Sequence, residues 1–405
     1  MVRLAVVTTH PIQYYAPIFQ ILARSDAVAT RVFYTWSQAQ AGGVADPWLD
    51  RHLAWDIPLL DGYDFEFVPN RARRPGSHHF WGLRNPELTT RIDSWRADAV
   101  LIFAWNGASH LAAMRYFKGR IPVLFRGDSH LLNPTTWLRR LARRTCLRWV
   151  YSHIDVALAV GSNNRDYFRW CGVPAQRIRF APHAVDLTRF AGDGALHEEQ
   201  AAAWRRELGI PADARTLVFA GKIYEQKNPL LLLDAFVQAQ RPGHLVFVGE
   251  GAQEAALRAR AAPYPQVHFL PFQNQRLMPA VYRLGDVFVL PSRGETWGLV
   301  VNEAMAAGRP VIASTRVGAA RDLITDRISG WIFESGNLQQ LTQTIGEALT
   351  CEPSVLRAMS ATAARDITHW STEAAARGIE AAALEFGAAP ANLRRTTLGV
   401  SSLQR

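Results

Sequence analysis

The chain has 405 residues, 48% of them hydrophobic and 20% charged, with a formal net charge of +10. That length exceeds one ordinary core and suits two domains of roughly 100–200 residues each, and the apolar share excludes a disordered chain and a coiled coil. The charge is uneven: residues 1–190 hold 24 Lys and Arg against 14 Asp and Glu, while the rest holds 21 of each, so the first half either meets something anionic or carries a solubilising basic surface.

The amino-terminal "MVRLAVVTT" is a short apolar run without a small-residue cleavage site, which predicts a buried strand rather than a signal peptide. No other stretch approaches the roughly 20 apolar residues of a membrane-spanning helix, and the expectation is a cytoplasmic protein. Cys146, Cys171 and Cys351 are far apart and form no CxxC pair, which argues against disulfides and structural zinc.

Continuously apolar runs then recur at intervals: "RLAVVT", "ADAVLIFAW", "IPVLFRG", "DVALAVGS" and "IRFAPHAV" in the first half. The alternation restarts with "RTLVFAGKI", "GHLVFVGEG", "VHFLPF", "DVFVLPS", "RPVIAST" and "GWIFES". Such runs suit parallel strands covered on both faces, and the spacers suit crossover helices. Each half is therefore predicted as a doubly wound, Rossmann-like α/β domain, residues 1–190 and 191–370. "STEAAARGIEAAALEF" predicts a terminal helix at 371–387 that completes the first domain, and residues 388–405 a loosely ordered tail. In such sheets ligand loops gather at the carboxyl ends of the strands, so two domains of this kind can face each other across a cleft with one substrate apiece.

The densest signal is "PSRGETWGLVVNEAMAAGRPVIAS", Pro291 to Ser314, which predicts strand, polar loop, helix, strand. The helix start around Thr296, Trp297, Gly298 and Leu299 offers unpaired N–H groups and a positive dipole end, suited to a phosphate. Glu295 precedes the helix and Glu303 lies two turns into it. Upstream, Lys222 follows the strand ending at Gly221 and Lys227 precedes Pro229; the chain's three lysines are Lys118 and these two. A compact ammonium is a suitable point-charge partner for phosphate.

The Glu295-to-Glu303 spacing, with "PS" before it and "EAMAAGRPVIAS" after, resembles the Glu-x7-Glu signature of family 4 retaining glycosyltransferases, bacterial polysaccharide-biosynthesis type. The resemblance implies the GT-B fold of two facing Rossmann-like domains, and a metal-independent hexosyltransferase that uses no cofactor beyond a UDP- or GDP-sugar co-substrate. It also implies a retaining reaction in which the leaving phosphate takes the acceptor's proton. It places Lys222 and Lys227 at the diphosphate, where the family usually has Arg then Lys. By the same resemblance Glu295 meets the sugar, Glu303 the ribose, and Gly249 of "VGEG" lies near the nucleotide. Phe272 of "LPFQN" either contacts the base or packs in the core.

The first half departs from that family's better-known pattern. In place of a Gly-Gly loop after the first strand it carries His10-Pro11-Ile12-Gln13-Tyr14-Tyr15. His10, Gln13 and Tyr14 suit hydrogen bonding and stacking on a sugar better than cradling a phosphate. Where many family members have a His after a later strand, near the reacting sugar, "RGDSH" supplies Arg126, Asp128 and His130 as candidates for that place, with a capping role as the alternative for Asp128 and His130. "RARRPGSHHFWG", Arg71 to Gly82, is a loop that grips a sugar or is mobile. In "NPTTWLRRLARRTCLRWVY" helical spacing puts Leu138, Leu141, Ala142, Cys146 and Trp149 on one arc and Arg139, Arg140, Arg143, Arg144 and Arg148 on the other. Packing the apolar arc on the domain would offer the arginines either to anionic lipid, as a peripheral contact on the inner membrane face, or to solvent with no partner.

The reading is a retaining transferase moving a sugar to a glycan or lipid-linked acceptor in cell-surface polysaccharide synthesis. Two alternatives are a nucleotide-sugar epimerase on the same fold and a basic nucleic-acid-binding protein. No nucleic-acid module is present to support the last, and neither donor sugar, acceptor nor oligomeric state is readable.

Overall fold

Seven strands form the first sheet: β1 (Val2–Thr8), β2 (Val28–Tyr34), β3 (Asp64–Phe67), β4 (Ala99–Phe103), β5 (Val123–Arg126), β6 (Val156–Ala159) and β7 (Ile178–Phe180). They pair in parallel in the order β3-β2-β1-β4-β5-β6-β7. In this computed structural model residues 1–38, 44–46, 51–53, 55–133 and 135–387 are described, so the expected tail at 388–405 lies outside them. Strands β2 and β3 are absent from the sequence-based set. Thr30 and Arg31 interrupt one, and Asp-Phe-Glu-Phe alternates in the other, which sits at the sheet edge where only one side needs an apolar cover.

Crossover segments of this unit include α1 (Ala16–Leu22), α2 (Ala108–Phe117), α3 (Trp137–Tyr151) and α4 (Ser162–Trp170). Pro17 stands in the first turn of α1, where its missing N–H costs nothing. The core between sheet and helices holds Val7, Phe33, Ile102, Phe117, Phe125 and Phe168. Each large side chain so buried contributes about 1.5–3 kcal/mol relative to exposure.

Helix α3 reverses its expected orientation. Only Leu147, Val150 and Tyr151 are buried, and Leu138, Leu141, Cys146 and Trp149 of the apolar arc are exposed. The arginines instead lean on the domain. The Arg140 and Arg143 guanidinium groups lie 5.6 Å from the ring centroids of Trp170 and Tyr167, and Arg144 Nε donates to the Trp170 carbonyl at 2.9 Å. Aromatic faces and a helix-end carbonyl on α4 take up the long cationic stems.

The second sheet repeats the pattern with β8 (Thr216–Ala220), β9 (His244–Val248), β10 (Val267–Leu270), β11 (Val287–Leu290), β12 (Val311–Ser314) and β13 (Gly330–Phe333). The order is β10-β9-β8-β11-β12-β13, again parallel. Helices α5 (Pro229–Ala239), α6 (Met278–Arg283) and α7 (Leu299–Ala306) flank it, and Phe219, Phe247, Val289 and Ile312 lie in its core. Both sheets have the doubly wound order, whose strand-order reversal falls beside the central first strand of each.

The last helix, α8 (Thr372–Gly387), returns to the first unit and packs on α1 and β1. The division between units falls after Pro182 rather than near residue 190. The short helix Leu187–Ala191 sets Phe190 against Tyr282, ring centroids 5.9 Å apart, and so belongs to the second unit.

Candidate functional site

At the carboxyl edge of the second sheet, two loops are joined to each other. The loop after β8 runs through Gly221 and Lys222 to a tight turn, Glu225–Lys227, and into α5 through Asn228, held at φ +58°. The loop after β11 runs from Ser292 to Gly298. Arg293 N–H donates to the Gln226 carbonyl at 2.8 Å, Gln226 Nε2 donates to the Gly294 carbonyl at 2.8 Å, and Arg293 pairs with Glu225 at 2.7 Å.

Those bonds hold Lys227 and Glu295 together. Lys227 Nζ lies 2.8 Å from Glu295 Oε1, with side chains 14% and 16% exposed, and Ser292 Oγ donates to the same oxygen at 2.8 Å. The pair is dry enough to be held in place and open enough to exchange partners. Its floor is glycine: a Cβ on Gly249, where φ is +131°, would meet the Gly221 carbonyl oxygen at 2.1 Å. The loops after β8 and β9 thus approach backbone to backbone, as a site that admits a phosphate close to the main chain requires. Gly298 caps α7 at φ +96°, and the first N–H groups of that helix, from Leu299, lack intrahelical partners by geometry.

The other expected donor residues separate into surface and interior. Thr296 is exposed; Lys222, Leu299 and Phe272 are half-buried, and Phe272 N–H donates to Glu250 Oε1 at 3.4 Å. Trp297 turns inward: its indole N–H donates to Asn302 Oδ1 at 2.8 Å, and its ring lies against His183 and Trp370. Glu303 is 1% exposed and accepts a hydrogen bond from the Tyr282 hydroxyl. Tyr282 carries no motif, so spacing along the chain could not have found it.

At the carboxyl edge of the first sheet, His10, Trp36, Phe103 and Asp128 follow β1, β2, β4 and β5 or end them. His10 stands edge-on to Trp36 with centroids 5.3 Å apart, and its Nδ1 lies 2.9 Å from Thr9 Oγ1. Burial pulls the imidazole down to about 4, which keeps it neutral near pH 7. The Trp36 indole N–H is buried without a hydrogen-bond partner among the described residues. Gln13 and Tyr14 are half-buried, but it is Tyr15 whose ring meets Phe103, at 4.7 Å. Burial, with Asp128 nearby, pushes the Tyr15 phenol up to about 12.

Arg126 is fully buried and gives its terminal nitrogens to the carbonyls of Ala181 and Pro182, the latter at 2.8 Å. Desolvation pulls it down to about 10. His130 is buried and accepts from the Leu132 N–H through Nδ1 at 3.1 Å. Ala104, next after β4, sits at φ +60°, a strained backbone of the kind that collects at functional sites.

Beneath this edge runs a buried polar chain that sequence reasoning missed. His110 Nε2 meets Thr35 Oγ1 at 2.8 Å and its Nδ1 meets the Phe103 carbonyl at 2.9 Å, while Thr35 Oγ1 donates to the Thr8 carbonyl. Asn85 Nδ2 donates to the Thr35 and Val68 carbonyls, each at 2.9 Å. This chain ties the ends of β1, β2 and β4 together. The loop 71–82 is ordered as well, with Asn70 Oδ1 accepting from the Ala72 and Arg84 amides and Gly76 N–H donating to the Gly82 carbonyl. Trp81 stands 65% exposed upon it, and Arg73 and Arg74, near the start of the same loop, are exposed as well.

Among the described residues no helix is long and apolar enough to cross a membrane. The model of "Glycosyl transferases group 1" matches residues 200–366 and that of "Glycosyltransferase Family 4" matches residues 43–189. Among curated relatives, the D-inositol 3-phosphate glycosyltransferase of Segniliparus rotundus is 33% identical over 53% of this chain and 49% of its own length. That of Geodermatophilus obscurus is 36% identical over 40% and 38%. The chain thus spans about half or less of the length of the curated relatives it matches. Among solved structures, Anabaena Alr3699/HepE in complex with UDP superposes with a TM-score of 0.69 at 16% identity, covering 94% of this chain and 99% of that one. A glycosyltransferase from Rickettsia africae gives 0.70 at 14%, covering 95% and 98%. The fold is that of the GT-B glycosyltransferases, and the chain belongs to family 4 of the glycosyltransferases.

Proposed function

We propose that this chain transfers a hexose, with retention and without a metal, from a UDP- or GDP-sugar to a glycan or lipid-linked acceptor in cell-surface polysaccharide synthesis, on the cytoplasmic side of a membrane. The observation that carries the reading is the Lys227–Glu295 pair, held by two stitched loops over a glycine floor at the start of α7. An arriving diphosphate competes with Glu295 for the Lys227 ammonium. The carboxylate so released accepts a hydroxyl of the donor sugar, and Lys227, Lys222 and the α7 amino end offset the charge that develops as the diphosphate leaves. The leaving phosphate oxygen takes the acceptor's proton, so the protein's task is orientation and electrostatics.

On the first unit, the neutral His10, the Trp36 indole, Gln13 and Tyr14 read sugar hydroxyls, with Asp128 and His130 at the reacting sugar. Solved structural neighbours are described with UDP and UDP-glucose, which supports a nucleotide-sugar donor here. The curated relatives are named for an acceptor that bears a phosphate, and the ordered 71–82 loop with Arg73, Arg74 and Trp81 suits an anionic sugar of that kind.

The test is release of UDP or GDP from a nucleotide-sugar panel, with and without acceptor extract. Lys227→Ala and Glu295→Ala should each lower kcat/KM by about a hundred- to a thousandfold, the scale of one lost preorganised electrostatic contact. Unchanged turnover in both would refute the assignment.

A further inference from the structure

Helix α3 carries a largely exposed apolar stripe, of which only Trp149 is partly met, by the Arg115 guanidinium 5.8 Å from its ring centroid and by the His153 ring at 5.0 Å. Trp137 is 72% exposed, Leu138 60%, Leu141 55% and Trp149 49%. At 100° per residue Leu138, Leu141, Ala142 and Trp149 lie within one arc, with Trp137 at its edge, and that arc points away from the buried Leu147, Val150 and Tyr151. The stripe runs about 18 Å along the helix. Isolated exposed apolar residues are ordinary, but two Trp and two Leu aligned on one helical face mark an interaction surface.

The charge around the stripe selects its occupant. From Ser129 to Ile154 the chain holds five arginines and no Asp or Glu. Arg140, Arg143 and Arg144 lean on α4, and the Arg148 stem lies beside Gly172 just past its end, while Arg139 flanks the stripe and is exposed. A second copy would bring five more arginines against these five, which disfavours self-association. An anionic leaflet reverses that sign, and Trp with flanking Arg is the residue pair suited to the boundary between headgroups and acyl chains.

We propose that α3 lies in the plane of an anionic lipid leaflet, inserting Trp137, Leu138, Leu141 and Trp149, with Arg139 at the level of the lipid phosphates. This rests on the membrane-side acceptor of the reading above and names the surface that meets the lipid. The apolar face makes the contact, and the arginines packed on α4 support the helix from behind.

The experiment is flotation of the full chain with vesicles of phosphatidylcholine alone and of phosphatidylcholine with one-third phosphatidylglycerol, read alongside the tryptophan emission maximum. Binding to the anionic vesicles with a blue shift is expected. Leu138→Ser/Leu141→Ser should weaken it by about 10- to 100-fold, whereas Arg140→Gln/Arg143→Gln should weaken it less than the leucine pair. Equal binding to both vesicle types, full binding by the leucine variant, or a wild-type dimer that the leucine variant abolishes would each overturn the proposal. Vesicle binding is read without donor, so failure of sugar transfer bears on the proposed reaction and not on this surface. The leucines are not among the residues assigned to the donor, so the urea-denaturation midpoint of the leucine variant, measured without lipid, should stay close to that of wild type, which separates lost insertion from lost folding.

Discussion

Replacing His10 by Gln tests the first-unit site through its titration. Burial lowers the folded-state value from the ordinary 6.5 to about 4. Between those values the unfolded chain binds a proton that the folded chain refuses, so stability is fully present above pH 6.5 and is lost as pH falls toward 4. At 1.36 kcal/mol per pH unit, the 1.5 units between 6.5 and 5.0 give a loss of about 2 kcal/mol by pH 5. Gln keeps a polar, hydrogen-bonding side chain and does not titrate. The assay is urea denaturation of wild type and His10→Gln at pH 7.5 and pH 5.0, comparing the stability drop of each. His110, also buried, shifts in the same direction and cancels in that comparison. The variant should lose about 2 kcal/mol less than wild type over the interval. Equal drops would mean that the ring is not held against Trp36 as the structure has it, and the reading of His10 as a neutral sugar contact would fall with it.

Gly249→Ala sets a Cβ 2.1 Å from the Gly221 carbonyl oxygen at φ +131°, so it should lose about 1–3 kcal/mol of stability and reduce the thermal shift given by UDP. Gly346→Ala, in the helix Leu338–Thr350 with nothing within 4 Å of the added carbon, should instead gain up to about 1 kcal/mol; a fall comparable to that of Gly249→Ala would refute the close-approach argument. Tyr282→Phe removes a donor to the buried Glu303 carboxylate and should cost about 1.5–3 kcal/mol in denaturant, with unchanged stability as the contrary result.

Much of the fold was readable along the chain because parallel strands buried on both faces are continuously apolar, as in "AVLIF" and "LVFV". The same logic hid Val28–Tyr34 and Asp64–Phe67, whose polar residues break the run although the sheet accepts them. The Lys227 and Glu295 assignments also came from local order, since each follows a strand end and precedes a helix. Their direct pairing did not, because it depends on hydrogen bonds between two loops more than sixty residues apart in sequence.

Three matters were decided only by tertiary packing. Trp297 stands in the motif, yet its ring is spent on Asn302, His183 and Trp370. His110, Thr35 and Asn85 have no common spacing and become one polar chain only when three strand ends converge. Helix α3 shows the limit most plainly. Its periodicity determined that an apolar arc and a basic arc exist, but periodicity is symmetric about which arc faces inward. The neighbour settled it: α4 presents Tyr167 and Trp170 to the guanidinium groups, and the apolar arc is left outside.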